Sequence, residues 1–251
     1  MYLLLSGEGP TDLGVNAGAA MVGEGEEYHP GPMAVIIDQL VEARFDYSPL
    51  ETQSCGFIAE HDVAALAGDL KAPKKAMALP GHKRAKETRY FFNNARILAR
   101  VARDQEARHN VEVVAVLFRD SDGTASAGRG LWAEKRDSML HGFAEEGFER
   151  GVPMLPKPKS EALILCALKY MYQACDALEE RSGNDASPNS LKAELEQFLG
   201  RWPSREELCD MVRTGAIDFR QIDMPSFTAF RSRLDEVLAG KHPRVRPRGG
   251  G

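Results

Sequence analysis

Two hydrophobic periods alternate along this chain. Tyr2-Leu3-Leu4-Leu5 is a continuous apolar run stopped by Ser6-Gly7-Glu8-Gly9-Pro10, and Val111 to Phe118 is a longer, β-branched one. Both read as strands covered on both faces. Between them, Pro32 to Phe45 carries Val35, Ile36, Leu40 and Val41 at helical spacing, with a proline where a first-turn proline belongs. Gly14 to Pro32, rich in glycine and carrying Glu24, Glu26 and Glu27, reads as a loop of limited order. Leu50 to Ile58 predicts a short strand and Ala59 to Leu70 a short helix. The second half of Lys71 to Arg108 predicts a long amphipathic helix. After Phe118 the pattern gives a helix from about Leu131 to Glu149, a strand from Val152 to Leu155 and a helix from Glu161 to Arg181. Helices over Ser190 to Leu199, Ser204 to Val212 and Ser226 to Leu238 follow, the middle one opened by a capping box at Ser204 and Glu207. The basic, proline- and glycine-rich tail His242 to Gly251 is expected to be disordered.

Strands alternating with helices over the first two-thirds predict an α/β fold, Rossmann-like, with a central, mostly parallel sheet flanked by helices. Residues 1–181 form this α/β unit, 182–241 a helical C-terminal extension packed on it, and 242–251 the tail. Of the 251 residues 43% are hydrophobic and 27% charged, the balance of an ordinary globular protein. No apolar run approaches the roughly 20 residues of a membrane span, and the N-terminus lacks the basic start of a signal peptide, so a cytoplasmic protein without a membrane partner is expected. Cys55, Cys166, Cys175 and Cys209 form no Cys-x-x-Cys pair. Neither a zinc site nor a disulfide framework is indicated, and all four are expected to be reduced and mostly buried.

Ligands gather at the carboxyl ends of strands in parallel sheets. Glu8 follows the first predicted strand, and Asp120-Ser121-Asp122 follows the best one, so the fold rule brings three carboxylates together. In an extended segment Asp120 and Asp122 lie on one side and Ser121 on the other. Mg²⁺ and Mn²⁺ take oxygen ligands and keep several waters, so a few carboxylates on a rigid edge make a site for one. The net charge of -5 argues against a broadly basic surface, yet Lys71 to Arg108 is strongly basic. Lys83, Arg84, Arg89 and Arg96 in that stretch are candidate contacts to nucleic acid, whose affinity comes largely from phosphate neutralisation. The alternative is a solvated basic helix. Of Tyr90, Phe91 and Phe92, two are expected in the core.

Glu8-Gly9-Pro10-Thr11-Asp12 after a hydrophobic strand resembles the first signature of the Toprim family, and Phe118-Arg119-Asp120-Ser121-Asp122 resembles the second. Pro156-Lys157-Pro158-Lys159-Ser160-Glu161 is similar to the segment that opens a helix after a further strand in small bacterial Toprim proteins and in the overcoming-lysogenisation-defect nucleases. The likeness spans about residues 1 to 180. It implies a metal-dependent nuclease, with DNA ahead of RNA, using one or two Mg²⁺ or Mn²⁺ ions. By this likeness Glu8, Asp120 and Asp122 are metal ligands, Asp12 and Glu161 serve a second metal, and Lys159 lies near the scissile phosphate. A setting in bacterial phage defence or a mobile element, with a separately encoded ATPase partner, is implied in the same way. The sequence departs from the family pattern in Ser6-Gly7 before Glu8, where an apolar pair is usual, and in Asp12, where Glu is common.

Other readings use the same residues. Glu161 after Ser160 is also an ordinary first-turn acid behind an N-cap, and Lys159 an ordinary exposed lysine. Asp120-Ser121-Asp122-Gly123-Thr124 also resembles the first motif of haloacid-dehalogenase-like phosphatases. That reading requires further strands bearing a second acidic pair, for which Gly183-Asn184-Asp185 is a poor stand-in, and it leaves Glu8 without a role. A non-catalytic Toprim-like subunit that binds nucleic acid or a partner is the third reading.

Overall fold

A computed structural model describes residues 1–68, 70, 86–121, 131–168, 175–187 and 189–240. The strands are β1 (Tyr2–Gly7), β2 (Gly14–Asn16), β3 (Gly23–Glu24), β4 (Tyr28–Pro30), β5 (Cys55–Ala59), β6 (Val113–Phe118) and β7 (Gly151–Met154). The helices are α1 (Pro32–Phe45), α2 (Glu60–Gly68), α3 (Lys86–His109), α4 (Trp132–Glu145), α5 (Ser160–Leu168), α6 (Cys175–Leu178), α7 (Leu191–Leu199), α8 (Arg205–Arg213) and α9 (Pro225–Leu238). The main sheet has the order β3-β5-β1-β6-β7, with β5, β1, β6 and β7 parallel and β3 antiparallel at one edge. The expected α/β architecture with a mostly parallel central sheet is present.

Each parallel strand feeds both faces of the sheet, because successive side chains point to opposite sides. Leu3, Leu5, Phe57, Val114, Val116, Phe118, Val152 and Met154 pack into one core with α1, α5 and the later helices. Tyr2, Leu4, Ile58, Val113, Ala115 and Leu117 pack into a second with Val63 of α2 and the apolar faces of α3 and α4. This is why the strands carry no polar alternation. The first core runs without interruption from the sheet to Leu195, Leu208, Phe227, Phe230 and Val237 of α7, α8 and α9. Polar bonds tie the same parts together: the Arg233 guanidinium donates to the carbonyls of Glu149 at 2.5 Å and Gly151 at 3.2 Å, and Ser226 N–H donates to Glu179 at 2.7 Å.

Three expectations are corrected. Gly14 to Pro32 is not a loop throughout: β2 and β4 pair antiparallel, and the Tyr28 hydroxyl donates to the Leu13 carbonyl at 2.5 Å. Glycine there has a structural reason, since Gly14 sits at φ +113 with the carbonyl of His29 where a side chain would lie. The cysteines are not all reduced, for Cys166 and Cys175 are disulfide-bonded, while Cys55 and Cys209 are free and buried. The α-carbons of Cys166 and Cys175 lie 5.4 Å apart. A single straight helix from Glu161 to Arg181 would hold residues nine apart at roughly 13.5 Å, so α5 and α6 are not parts of one straight helix. The capping box at Ser204 and Glu207 is formed as expected. The tail 242–251 lies outside the described residues.

Candidate functional site

Chain direction singles out one place on the sheet. From β1 the chain moves outward to β5, then returns across β1 to β6 and continues outward to β7. The strand order therefore reverses between β1 and β6, and the crevice outside their carboxyl ends is where a doubly wound sheet binds its ligand. Glu8 follows β1 there and Asp120 follows β6.

These two residues meet. Glu8 Oε1 accepts the backbone N–H of Asp120 at 2.5 Å. Asp120 Oδ1 in turn accepts the N–H of Ser160 at 3.1 Å, so the carboxylate satisfies an N-terminal donor of α5. Ser121, buried as its alternation requires, stitches β6 to the segment after β7: its N–H donates to the carbonyls of Pro156 at 3.2 Å and Pro158 at 3.0 Å, and its hydroxyl to Pro158 at 3.2 Å. The Lys135 ammonium reaches the Ser121 carbonyl at 3.0 Å from α4. The rim is thus fixed mainly through backbone atoms.

Asp12 belongs to the same group. Its carboxyl is pushed up to about 7, first by burial and then by the like charges of Glu161 and Glu8, although Ser160 and the Lys159 ammonium act the other way. Lys159 is buried rather than exposed, 6% accessible, with Nζ 2.5 Å from Asp185 Oδ1 and 4.0 Å from Glu161 Oε2. Glu8, Asp12, Asp120, Lys159 and Glu161 are therefore gathered at one sheet edge. Asp122, Lys83 and Arg84 lie outside the described residues.

The basic face is narrower than its sequence suggests. Arg96 is turned inward, 6% accessible, and pairs with Glu146 at 2.7 Å, while Arg100 joins the same carboxylate at 3.0 Å. Burial pushes the Glu146 carboxyl up, but the two guanidiniums hold it below the usual range. Arg96 is thus corrected from a surface contact to a clamp between α3 and the end of α4. Arg89 remains exposed. Phe91 and Phe92 are both buried, as expected of two of the three aromatic residues.

Three residues near this edge were missed. Glu60 follows β5, a third parallel strand, and accepts the Tyr90 hydroxyl. Its strand was expected to stop at Ile58, which hid its place at the edge. Asp185 was weighed only as an acidic pair for a phosphatase. Arg119 is fully buried beneath Asp120, donating to the Phe118 carbonyl at 2.6 Å, to Asn94 Oδ1 at 2.7 Å and weakly to Ser6 Oγ at 3.5 Å. Its Nε finds no acceptor. Among the described residues its acceptors are neutral, and a buried guanidinium held in that way is costly.

The donor set is oxygen alone, which suits a hard divalent cation such as Mg²⁺ or Mn²⁺. Among the described residues no three His, Cys, Asp or Glu side chains converge closely enough to enclose an ion. Mg²⁺ needs only one or two carboxylates, its remaining positions being water and phosphate.

No family model, curated protein or solved structure matches this chain. Among the described residues no helix is long and apolar enough to cross a membrane.

Proposed function

We propose that this chain is a metal-dependent nuclease of the Toprim type, cleaving phosphodiester bonds with Mg²⁺ or Mn²⁺. One observation carries the reading: Glu8 bonds the backbone of Asp120 at the switch point of the sheet, with Asp12, Glu161 and a buried Lys159 alongside. Glu8, Asp120 and Asp122 would hold the first ion; Asp12 and Glu161 would serve a second. A bound ion would supply a water of lowered pKa and neutralise charge on the phosphate. Lys159 contributes a cation, held in place by Asp185 and burial, to offset charge on the phosphate in the transition state. Asp120 keeps α5 in position through Ser160, so the segment bearing Lys159 stays in register with β6. Arg89 on α3 is the described member of the basic set open to a polyanion.

The phosphatase reading has less support. Beyond β6 the described residues add one parallel strand, β7, and the acidic group at the edge includes Glu8, which that reading does not use. Nucleic acid remains the proposed partner, and a separately encoded ATPase a further one.

The test is cleavage of supercoiled plasmid, single-stranded DNA and RNA with Mg²⁺ or Mn²⁺, run beside a generic phosphomonoester and repeated with Asp120→Ala. Metal-dependent cutting lost in the variant is the expected result. Phosphomonoester hydrolysis without strand cleavage would replace the proposal with the phosphatase reading.

A further inference from the structure

We propose that the cavity beside Glu8, at the carboxyl ends of β1 and β5, is a base-recognition subsite that takes a guanine of single-stranded nucleic acid, read by Glu60. It rests on the nuclease reading for the polymer, and on separate residues for the base. The cavity holds about 260 Å³, and Gly9, the neighbour of Glu8, forms its side toward the carboxylate edge. Val15 and Ala59, backed by the buried Phe57, give it an apolar side against which a base can lie. His61 stands at the rim with its side chain 83% exposed and its Nε2 3.5 Å from Asp62 Oδ1, which leaves the ring face open to a base.

Glu60 supplies the polar end of this cavity. It is the first residue after β5, so it shares the ligand edge of the sheet with Glu8 and Asp120. The Tyr90 hydroxyl donates to Oε1 and fixes the carboxylate, and acceptor capacity remains on both oxygens. Tyr90 belongs to α3, so the carboxylate is pinned from that helix. A fixed carboxylate prefers two adjacent donors. Guanine presents N1–H and the N2 amino group side by side, whereas adenine and cytosine place a bare ring nitrogen next to their amino group. Thymine and uracil flank a single N–H with two carbonyl oxygens, which a carboxylate repels.

The experiment uses the full chain in EDTA, so that no strand is cut, and a fluorescent oligothymidylate with one central guanine or one central hypoxanthine, which lacks only the amino group. The guanine strand is expected to bind about tenfold tighter, the discrimination that one bidentate pair gives. Glu60→Ala should bring the two strands within about twofold, and Tyr90→Phe, which unpins the carboxylate, should give an intermediate ratio. Val15→Trp fills the cavity while leaving Glu60 in place, and should also abolish the preference, with circular dichroism checking the fold of each variant. Equal binding of the two strands by the unaltered chain, or a preference that survives in Glu60→Ala, overturns the subsite. Cleavage in Mn²⁺ is scored separately. Preference without cleavage removes the nuclease reading and keeps the subsite; cleavage without preference does the reverse.

Discussion

The carboxylate of Glu8 and the backbone N–H of Asp120 are joined at 2.5 Å, across 112 positions of sequence. A glutamine at position 8 can still accept that bond through its amide oxygen, but it carries no charge. Glu8→Gln should therefore lower strand cleavage at least a hundredfold while shifting the unfolding free energy by less than about 1 kcal/mol. Glu8→Ala should lose cleavage equally and cost about 1–2 kcal/mol more in a urea melt, because the Asp120 donor is left without its partner. Retained cleavage in Glu8→Gln would remove Glu8 from the site.

Asp12 makes the metal-free protein sensitive to pH. Its carboxyl titrates near 3.8 when unperturbed and at about 7 in the fold. Between those values the folded chain holds a proton that the unfolded chain has released, so stability falls as pH rises through the window. The melting temperature in EDTA should decline from about pH 4 to pH 7, and Asp12→Asn should flatten that slope. Mg²⁺ at pH 7.5 should raise the melting temperature of the unaltered chain, since a cation relieves the same repulsion. An unchanged slope in Asp12→Asn would show that other groups dominate.

Lys159 is already paired with Asp185, so a phosphate must compete for its ammonium. Asp185→Asn weakens the competitor and should lower KM for nucleic acid a few-fold. Lys159→Met should lower kcat by about a hundredfold, the scale of losing one donor to a developing anion, with little change in Mn²⁺ affinity measured by titration. A Lys159→Met enzyme of normal kcat would reduce that lysine to a structural role.

Arg119 contributes both charge and hydrogen bonds. Arg119→Met should cost about 1–3 kcal/mol in a urea melt, because the buried Phe118 carbonyl and Asn94 amide oxygen lose their donor, while Mn²⁺ affinity falls severalfold with the loss of a cation next in sequence to Asp120. A destabilised variant with normal Mn²⁺ binding would mark Arg119 as purely structural.

Much of the fold was legible because local and global signals agree in it. Val113 to Phe118 is apolar at every position because both cores claim it, and Pro32 and the Ser204–Glu207 box mark their helix starts by backbone chemistry. Glu8 and Asp120 were legible for the same reason, each standing where an apolar run stops. The β2–β4 pair was not, since three-residue strands rich in glycine have no periodicity to read. Neither was Glu60, whose short strand Cys55–Ala59 begins with a cysteine and a glycine. The inward turn of Arg96 depends on Glu146, fifty positions away, and no spacing within α3 announces it. Lys159 likewise is buried by its tertiary surroundings, which no run of neighbouring lysines and prolines reveals.

One face of the sheet and the last three helices share an unbroken interior. The chain therefore has no seam after position 181 at which it can be cut. A fragment ending there would bare Val152, Met154 and the inner side of α5 to water, a contiguous greasy surface of the kind that drives association. Anyone shortening the protein to its α/β part, or fusing a partner at that point, should expect inclusion bodies before any question of catalysis arises. The carboxylate edge depends for its solubility on helices that contribute almost nothing to its chemistry.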